Sequence, residues 1–528
     1  MSILLTNGRI YRSAKDENPA QALLIEAGLV SWLGAAADAP EADEIIDLEG
    51  RSVLPGLTDA HLHVFALALA RLQVSFARTP ARDFSDIIRL LKDRQAETPP
   101  GDWVHASDLI EDLLAERRLP TRSDLDTEFP ETPVLLRRYC GHVAVMNSAA
   151  IRALDLPEDV TDPEAGVFLR DADGRLTGIA EETAAEWVFA RAPVASQTDL
   201  MREIRATWEE CLSYGLTSLT EAAVGFSIGY DREAAIWAQL RAAGDLPVRH
   251  GFMLQLTPED ARERGLTPEF GEAWSGETLK FFADGIVGGR SGAVSEPYED
   301  TGGTGVLMQP PGVLEDHLKT THADGWRIAV HATGDRGVSR VLAAMEAAQG
   351  TDTSRRHRIE HVFVPPQGVF LRMAQANVLT VTQPSFLVRM GASAIRGLGR
   401  RADTAYPAAS ALAADAPLVF SSDAPTGFLS PWIGVSAAVT RRGSHEGQLG
   451  AGEALSVRDA LDAYISGGAY AMRHEGFRGQ LTPGFAADLA VFGADPFETD
   501  ADALADMKAD LTIMGGRVVY RGPDAPAT

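Results

Sequence analysis

Cysteine is scarce in this 528-residue sequence, which contains only Cys140 and Cys211. Two cysteines cannot build a disulfide framework, and this composition is typical of a protein from a reducing compartment. Neither cysteine belongs to a Cys-x-x-Cys pair, so a metal site in this chain would have to use histidine and oxygen ligands.

Long apolar runs and positive charge are scarce as well. No run approaches the roughly 18 apolar residues of a membrane span, and the first residues lack the basic leader of a signal peptide. We therefore expect a cytoplasmic protein that does not bind membranes. Lys and Arg number 48 against 74 Asp and Glu, a formal net charge of −26. Such a surface repels phosphate backbones, which argues against a nucleic-acid partner.

What the chain does contain indicates a globular protein with a large core, because 45% of its residues are hydrophobic and 23% are charged. Residues 3–12, with Asn7-Gly8, and residues 511–521, with Gly515-Gly516, each predict a β-hairpin. We predict that both termini, residues 1–56 and 476–528, form one β-domain; two unrelated surface hairpins are the alternative. A helix is predicted from residue 457 to 471, loosened or interrupted at Gly467-Gly468.

From about residue 200 the pattern alternates between strands and helices. Predicted strands are 215–221, 247–253, 279–285, 327–331, 358–361, 378–383 and 417–423, with helices at 200–214, 232–243, 313–324, 336–348, 366–376 and 408–414. Repeated βα units of this length predict a parallel sheet closed by helices. The predicted fold is α/β, a (β/α)8 barrel over residues 57–475 with an inserted α+β region at about 76–200.

His61 and His63 follow an apolar run that reads as the first strand of this barrel. Side chains alternate along a strand, so both imidazoles point the same way. Two imidazoles on one face can hold a metal ion from a rigid platform. The alternative is a pair of strand histidines without a metal.

Further candidate ligands lie in or at the ends of later strands, where barrels carry their active sites. They are Lys280, His331, His361 and Asp423. Together with His61 and His63 they predict a histidine and carboxylate cage for a borderline cation, for which zinc is the best match and another divalent cation is the alternative.

Lys280 is unusual in this set because an ammonium has no lone pair for a metal. A buried lysine with a lowered pKa can react with carbon dioxide, and the resulting carbamate can bridge two cations. The alternative is an ion pair with Asp284 or Glu221, which would favour one metal instead of two.

Several motifs carry a resemblance to a known family. They are Leu54-Pro-Gly-Leu-Thr-Asp-Ala-His-Leu-His63, Lys280-Phe-Phe-Ala-Asp-Gly285, Val330-His-Ala-Thr-Gly-Asp335, Arg358-Ile-Glu-His361, Ser421-Ser-Asp-Ala-Pro425, Gly101-Asp-Trp-Val104, Gly141-His142 with Asn147-Ser148, and Leu481-Thr-Pro-Gly-Phe-Ala-Ala-Asp-Leu489. In order and coverage they resemble the amidohydrolase superfamily, and within it amidohydrolase family 3, the branch of YtcJ-like and N-substituted formamide deformylase-like proteins. The resemblance implies a β-sandwich built from both termini, a metal-bearing barrel, and hydrolysis of amide or related C–N bonds in a small molecule.

The mechanism that we expect uses two zinc ions and metal-activated hydroxide. His61, His63 and Asp423 would hold one ion, His331 and His361 the other, and carbamylated Lys280 would bridge them. Asp423 would act as the proton shuttle, first as general base and then as general acid.

Arg290 and His142 are the candidates for substrate binding. A guanidinium on a glycine-rich loop can clamp a carboxylate or a carbonyl, and an ion pair between loop and surface is the alternative for Arg290. The rival functions are a deaminase or cyclic amidase on the same site, or a non-catalytic metal-binding scaffold, which would have no need of Asp423. From the resemblance we also expect a homodimer.

Overall fold

The structure, a computed structural model, describes residues 2–76, 79–138, 143–164, 166–193, 195–244, 246–444 and 447–526. The chain divides into two compact units, one made of Met1–Phe65 with Arg205–Thr528 and the other of Ala66–Ile204. The predicted division between a terminal β-domain and the barrel stays a prediction, as does the homodimer.

The first unit begins with short strands in two different sheets. These strands are β1 (Ser2–Thr6), β2 (Arg9–Ile10), β3 (Ala22–Glu26), β4 (Leu29–Gly34), β5 (Glu44–Asp47) and β6 (Ser52–Pro55). β1 pairs with β3 and β5, whereas β2 pairs with β6. The predicted hairpin at Asn7-Gly8 was therefore wrong. Asn7 has a φ of 56°, and the turn at this residue carries the chain from one sheet to the other. The apolar faces of the two sheets can then pack against each other.

The barrel starts with β7 (Leu57–Leu62), and the second unit is inserted after this strand. The elements from here to the next barrel strand are α1 (Val64–Arg71), β8 (Val74–Ser75), α2 (Phe84–Glu97), β9 (Val104–Leu109), α3 (Arg122–Asp126), β10 (Val134–Arg138), β11 (Val143–Met146), α4 (Ser148–Ala153), β12 (Gly166–Arg170), β13 (Leu176–Glu182), α5 (Thr183–Arg191) and α6 (Gln197–Ser213).

The six strands of the second unit form a mixed sheet in the order β12-β13-β11-β10-β9-β8. Both faces of this sheet are apolar: Leu136 and Val145 pack with Ile87 of α2, whereas Leu135 packs in a separate cluster that contains Val188 of α5. Helices therefore pack on both faces of this mixed sheet, and the unit contains the strands and helices that were predicted for the inserted region.

Seven parallel strands complete the barrel after β7. They are β14 (Leu216–Val224), β15 (Arg249–Leu254), β16 (Trp274–Phe282), β17 (Arg327–Ala332), β18 (Arg358–His361), β19 (Leu379–Thr382) and β20 (Leu418–Phe420). The sheet order is β20-β19-β18-β17-β16-β15-β14-β7. The segment just after β20 bonds to the end of β7: Asp423 N–H donates to His61 O at 2.7 Å, and His63 N–H donates to Ala424 O at 2.9 Å. These bonds join the last strand to the first, so the predicted (β/α)8 barrel is confirmed.

Helices follow the barrel strands along the chain. They are α7 (Tyr230–Ala242), α8 (Pro258–Glu263), α9 (Val313–Ala323), α10 (Asp335–Gln349), α11 (Val369–Ala376), α12 (Phe386–Leu398), α13 (Ala409–Ala413), α14 (Pro431–Thr440) and α15 (Val457–Ala471). Short 3₁₀ helices lie at Ala36–Asp38, Glu111–Leu113, Gly399–Thr404, Ala451–Glu453 and Ala503–Asp506. Within the described residues, no helix combines the length and apolar character that crossing a bilayer requires.

The chain returns at its end to the sheet of β2 and β6. The last strands are β21 (Leu489–Phe492), β22 (Leu511–Met514) and β23 (Arg517–Arg521), and β21 pairs with β6 while β22 and β23 form the predicted hairpin. Residues from both ends share one apolar core, for example Leu5, Val53 and Leu489. This two-layer arrangement is the sandwich of both termini that the resemblance implied.

Candidate metal centre

The predicted ligands converge at the carboxyl-terminal ends of the barrel strands. One possible ligand atom from each of His61, His361 and Asp423 lies within 4.8 Å of the others, and all three residues are buried. These residues come from β7, β18 and the segment after β20, so the closure of the barrel brings together positions that lie 62 to 362 residues apart in the sequence.

His61 and His63 point the same way, as strand alternation predicted. The Nε2 atom of each lies 3.3 Å from Oδ1 of Asp423. Asp423 has a left-handed φ of 51° and a hydrogen bond from its N–H to His61 O. The backbone of the first strand thus sets the position of the carboxylate that faces both imidazoles.

His331 and His361 form the other side of the cluster. Their ring centroids lie 4.4 Å apart, and the ring of His361 is 5.1 Å from that of His61. His361 has a φ of 82°, which breaks the alternation at the end of β18. Because of this break both Glu360 and His361, although adjacent, reach toward His61.

A protein acceptor orients each of three imidazoles. His61 Nδ1 lies 2.5 Å from Glu360 Oε2, and His361 Nδ1 lies 2.9 Å from Gln383 Oε1. His331 Nε2 lies 3.0 Å from Gly285 O. If each of these hydrogen-bonded nitrogens carries the N–H, the other nitrogen of the same ring keeps its lone pair for a metal. The nitrogens available as metal ligands are then Nε2 of His61, Nε2 of His361 and Nδ1 of His331.

Burial keeps the lone pairs of two imidazoles in the cluster available. Burial lowers the pKa of His331 to about 4 and the pKa of His361 well below its usual value, so both rings are neutral. For His63, burial lowers the pKa but the hydrogen bonds with Asp423 and Glu221 outweigh it, and the pKa is raised to about 9. For Asp423, burial opposes ionisation, yet the contacts with His61 and His63 hold its pKa well below the usual range.

These donors fit a divalent metal. Neutral imidazole nitrogens beside a carboxylate form a donor set suited to a borderline cation such as zinc. A cation between them would also offset the charge of a buried carboxylate, which is costly to bury alone.

Comparison with known proteins agrees with this geometry. The model of the amidohydrolase family matches residues 44–520. The chain belongs to the amidohydrolase family. It is a hydrolase of carbon–nitrogen bonds, and the scaffold alternative is set aside.

Relatives of this amidohydrolase match along nearly the whole chain. YtcJ of Bacillus subtilis is 28% identical over 98% of this chain and 99% of its own. The N-substituted formamide deformylase of Arthrobacter pascens is 26% identical over 98% of each chain. The crystal structure of an uncharacterized metal-dependent hydrolase from Pyrococcus horikoshii superposes with a TM-score of 0.79 at 26% identity, covering 95% of this chain and 99% of that one.

Lys280 of the amidohydrolase barrel is buried, with 2% of its surface exposed. Burial lowers its pKa to about 8, although Glu360 and Asp423 act in the opposite direction. No residue in the described part of the chain forms an ion pair with it. Asp284 instead accepts the N–H groups of Ala293, Thr333 and Gly334. The ion pair that we considered for Lys280 is therefore not formed within the described residues.

Arg290 does not have the free guanidinium that a substrate clamp needs. Its nitrogens bond Asp300 Oδ1 at 2.8 Å, Val287 O at 2.9 Å and Ser393 O at 2.9 Å, and it pairs again with Asp300 through Nη2. The structure shows the alternative, an ion pair within the loop region. His142, the other substrate candidate, lies outside the described residues.

Sequence reasoning missed the groups behind the ligands. Glu360, which is fully buried, joins His61 to Arg358, and Arg358 also donates to Ala60 O at 2.8 Å. The spacing of Arg358 and Glu360 places both on the inner face of β18, and that i, i+2 charge pair was the available signal. For Gln383 the available signal was weaker: this residue lies one position beyond the end of β19.

Proposed function

We propose that this chain hydrolyses the amide-type C–N bond of a small molecule, using one or two zinc ions or another divalent cation. The observation that carries the proposal is the position of Asp423, whose Oδ1 lies 3.3 Å from Nε2 of both His61 and His63. A carboxylate in that place can bind a metal and also face the reacting water.

The metal-holding roles follow from the free ring nitrogens. His61 and His63 with Asp423 would hold one ion, and His331 through Nδ1 with His361 through Nε2 would hold a second. Lys280, carbamylated by carbon dioxide, would bridge the two sites. When bound, the metal polarises the substrate carbonyl and makes water nucleophilic at neutral pH.

Asp423 moves the proton in this mechanism. As the water oxygen bonds to the carbonyl carbon, Asp423 Oδ1 accepts a proton from the water. As the C–N bond breaks, the same carboxyl returns that proton to the leaving nitrogen. The products are a carboxylic acid and an amine, and Asp423 ends the cycle ionised.

Metal removal and one substitution test this proposal together. We expect activity on a panel of N-formyl, N-acyl and cyclic amides and an amidine to disappear after dialysis against a chelator and to return with zinc. Asp423→Asn should lower kcat about 10²–10⁴-fold, the usual contribution of a general acid–base group, while circular dichroism shows an intact fold.

The matched control is Asp316→Asn, which neutralises an exposed carboxylate on α9 and should leave kcat unchanged. Full activity in metal-free protein, or normal turnover by the Asp423 variant, would contradict the proposal. The panel also decides between rivals: a cyclic member as the best substrate favours a cyclic amidase, and ammonia released from the amidine favours a deaminase.

A further inference from the structure

Two phenylalanine rings lie directly beside the metal-binding histidines. The ring of Phe226 is 5.4 Å from that of His63 and is tilted by 31°. It also stacks on Phe282 at 6.2 Å and 23°, and the Phe282 ring lies 5.4 Å from His331. The two rings therefore form one continuous apolar surface, here called the phenyl shelf, that runs from His63 to His331.

The Phe226 end of the phenyl shelf is open to solvent, since 55% of Phe226 is exposed, whereas Phe282 is half-buried. Leaving a large apolar side chain in water forgoes the free energy of its burial, and contiguous exposed apolar surface often marks a binding site. Beside a hydrolytic centre, the group that would cover this surface is part of the substrate.

The loop that presents Phe226 is firmly held. Glu233, a fully buried residue of α7, accepts the N–H groups of Gly225 at 2.6 Å, Ser227 at 2.7 Å and Ile228 at 2.8 Å. Three hydrogen bonds from both sides of Phe226 to one carboxyl group fix the backbone that carries its ring. Its exposure is thus a built feature of the loop after β14.

The arginine side chains around the site also argue against an anionic substrate. Arg290, the candidate for clamping an anionic substrate, bonds Asp300 and Ser393, and Arg389 donates to Pro425 O and Thr426 O while its guanidinium packs on Phe428. Both guanidinium groups are therefore already engaged, and the Lys280 amine, 5.2 Å from the centroid of the Phe282 ring, is the group that we assign to the metal bridge. A carboxylate placed against the phenyl shelf would lose water without either guanidinium as its partner, which is unfavourable. An uncharged planar ring would instead gain stacking contacts.

We propose that Phe226 and Phe282 select amides that carry a planar aromatic ring next to the scissile bond. This inference rests on the proposed function, because it names the substrate class of the same site. Phe226 acts through contact with the non-reacting part of the substrate, so it determines specificity and takes no part in proton transfer.

The kinetic test uses zinc-loaded enzyme and amides that differ in one group. On either the acyl or the amine side, that group is phenyl, methyl or carboxymethyl. We expect kcat/KM for the phenyl member to exceed that for the methyl member at least about tenfold, a factor that one stacked ring can supply. Phe226→Ala should remove most of this preference, so that the ratio of kcat/KM between the phenyl and methyl members falls toward one.

The matched control is Phe270→Ala. Phe270 is also an exposed phenylalanine, with 51% of its surface accessible, but it precedes β16 and its ring packs near His474 at 5.7 Å, at the amino-terminal end of the strands. Its removal should leave the phenyl preference unchanged.

A binding measurement separates failure of this inference from failure of the proposed function. Calorimetry of zinc-loaded protein with benzohydroxamate and acetohydroxamate compares the same two groups without turnover. If benzohydroxamate binds about tenfold tighter and Phe226→Ala removes the difference, the phenyl shelf stands even when no amide is hydrolysed. Equal affinities and rates for phenyl and methyl members in wild type, a preference for the carboxymethyl member, or an unchanged preference in Phe226→Ala would overturn it.

Discussion

Glu360 shows how a single residue behind a ligand shapes the metal centre. It accepts from His61 Nδ1 and is itself paired with Arg358, with all three residues buried. Such an arrangement sets the tautomer of the histidine, orients its ring and raises the basicity of the opposite nitrogen. The negative charge of Glu360 is also stabilised, since the nearby Arg358 and His61 keep its pKa well below the usual value despite burial.

We expect Glu360→Gln to weaken zinc binding by about 10–100-fold, the usual effect of losing a group that supports a metal ligand. The amide retains an acceptor for His61 but loses the charge that polarises the imidazole. Competition with a chromophoric chelator measures the affinity. Glu315→Gln, which removes a charge paired with Arg340 outside the barrel interior, is the control. Zinc affinity equal to wild type in the Glu360 variant would refute this role.

Helix α15 illustrates a limit of local propensity at the scale of an element. Its two central glycines, Gly467 and Gly468, predicted an interruption, yet the helix runs without a break from Val457 to Ala471. A Cβ on Gly468 would lie 2.4 Å from Cβ of Thr58, and one on Gly467 would lie 2.5 Å from Leu418 O. The glycines therefore allow the helix to lie close to the barrel strands, and that packing offsets their weak helix propensity.

Gly468→Ala should accordingly destabilise the protein, although alanine is the better helix former by about 1 kcal/mol. The clash with Thr58 has to be relieved by backbone movement, which typically costs about 1–3 kcal/mol. Gly452→Ala is the matched control, because a Cβ there meets nothing within 4 Å. Urea unfolding compares the two variants, and a Gly468→Ala protein as stable as the control would show that the contact is not tight.

Across the whole molecule, buried histidines make stability depend on pH. Burial lowers the pKa of His105 and His250 to about 4 and that of His357 and His474 to about 3. Each is neutral in the folded protein but titrates near 6.5 when unfolded. Their stabilising contribution is fully present above pH 6.5 and is lost as the pH falls toward the folded pKa.

His250 provides a test of this linkage. Its buried Nε2 has no hydrogen-bond partner among the residues that the structure describes, and its ring stacks on Phe252 with centroids 4.6 Å apart. His250→Phe should remove one histidine's share of the acid sensitivity, about 1.4 kcal/mol per pH unit between pH 6.5 and about 4. Urea unfolding of both proteins from pH 8 to pH 5 measures how steeply the free energy of unfolding changes with pH. The difference in this free energy at pH 8 reports the change in packing. Parallel curves over this range would contradict the assignment.

Local sequence patterns were sufficient to predict part of the fold and part of the candidate metal centre. Alternation along a strand placed His61 and His63 on one side, and the repeat of strand and helix predicted the barrel together with the strand ends that carry His331 and His361. These features could be predicted because each depends on a local period, which neighbouring residues set regardless of the distant chain.

Other features were decided by tertiary structure alone. β1 and β2 separate at Asn7-Gly8 because two apolar sheets cover each other, and α15 passes through its glycines because a barrel strand lies against it. Arg290 is occupied by Asp300, and His361 faces the same cluster as its neighbour Glu360 because His361 takes a left-handed backbone conformation. Each of these depends on contacts between residues far apart in the sequence, whose energies outweigh local preference and cannot be read from the residues on either side.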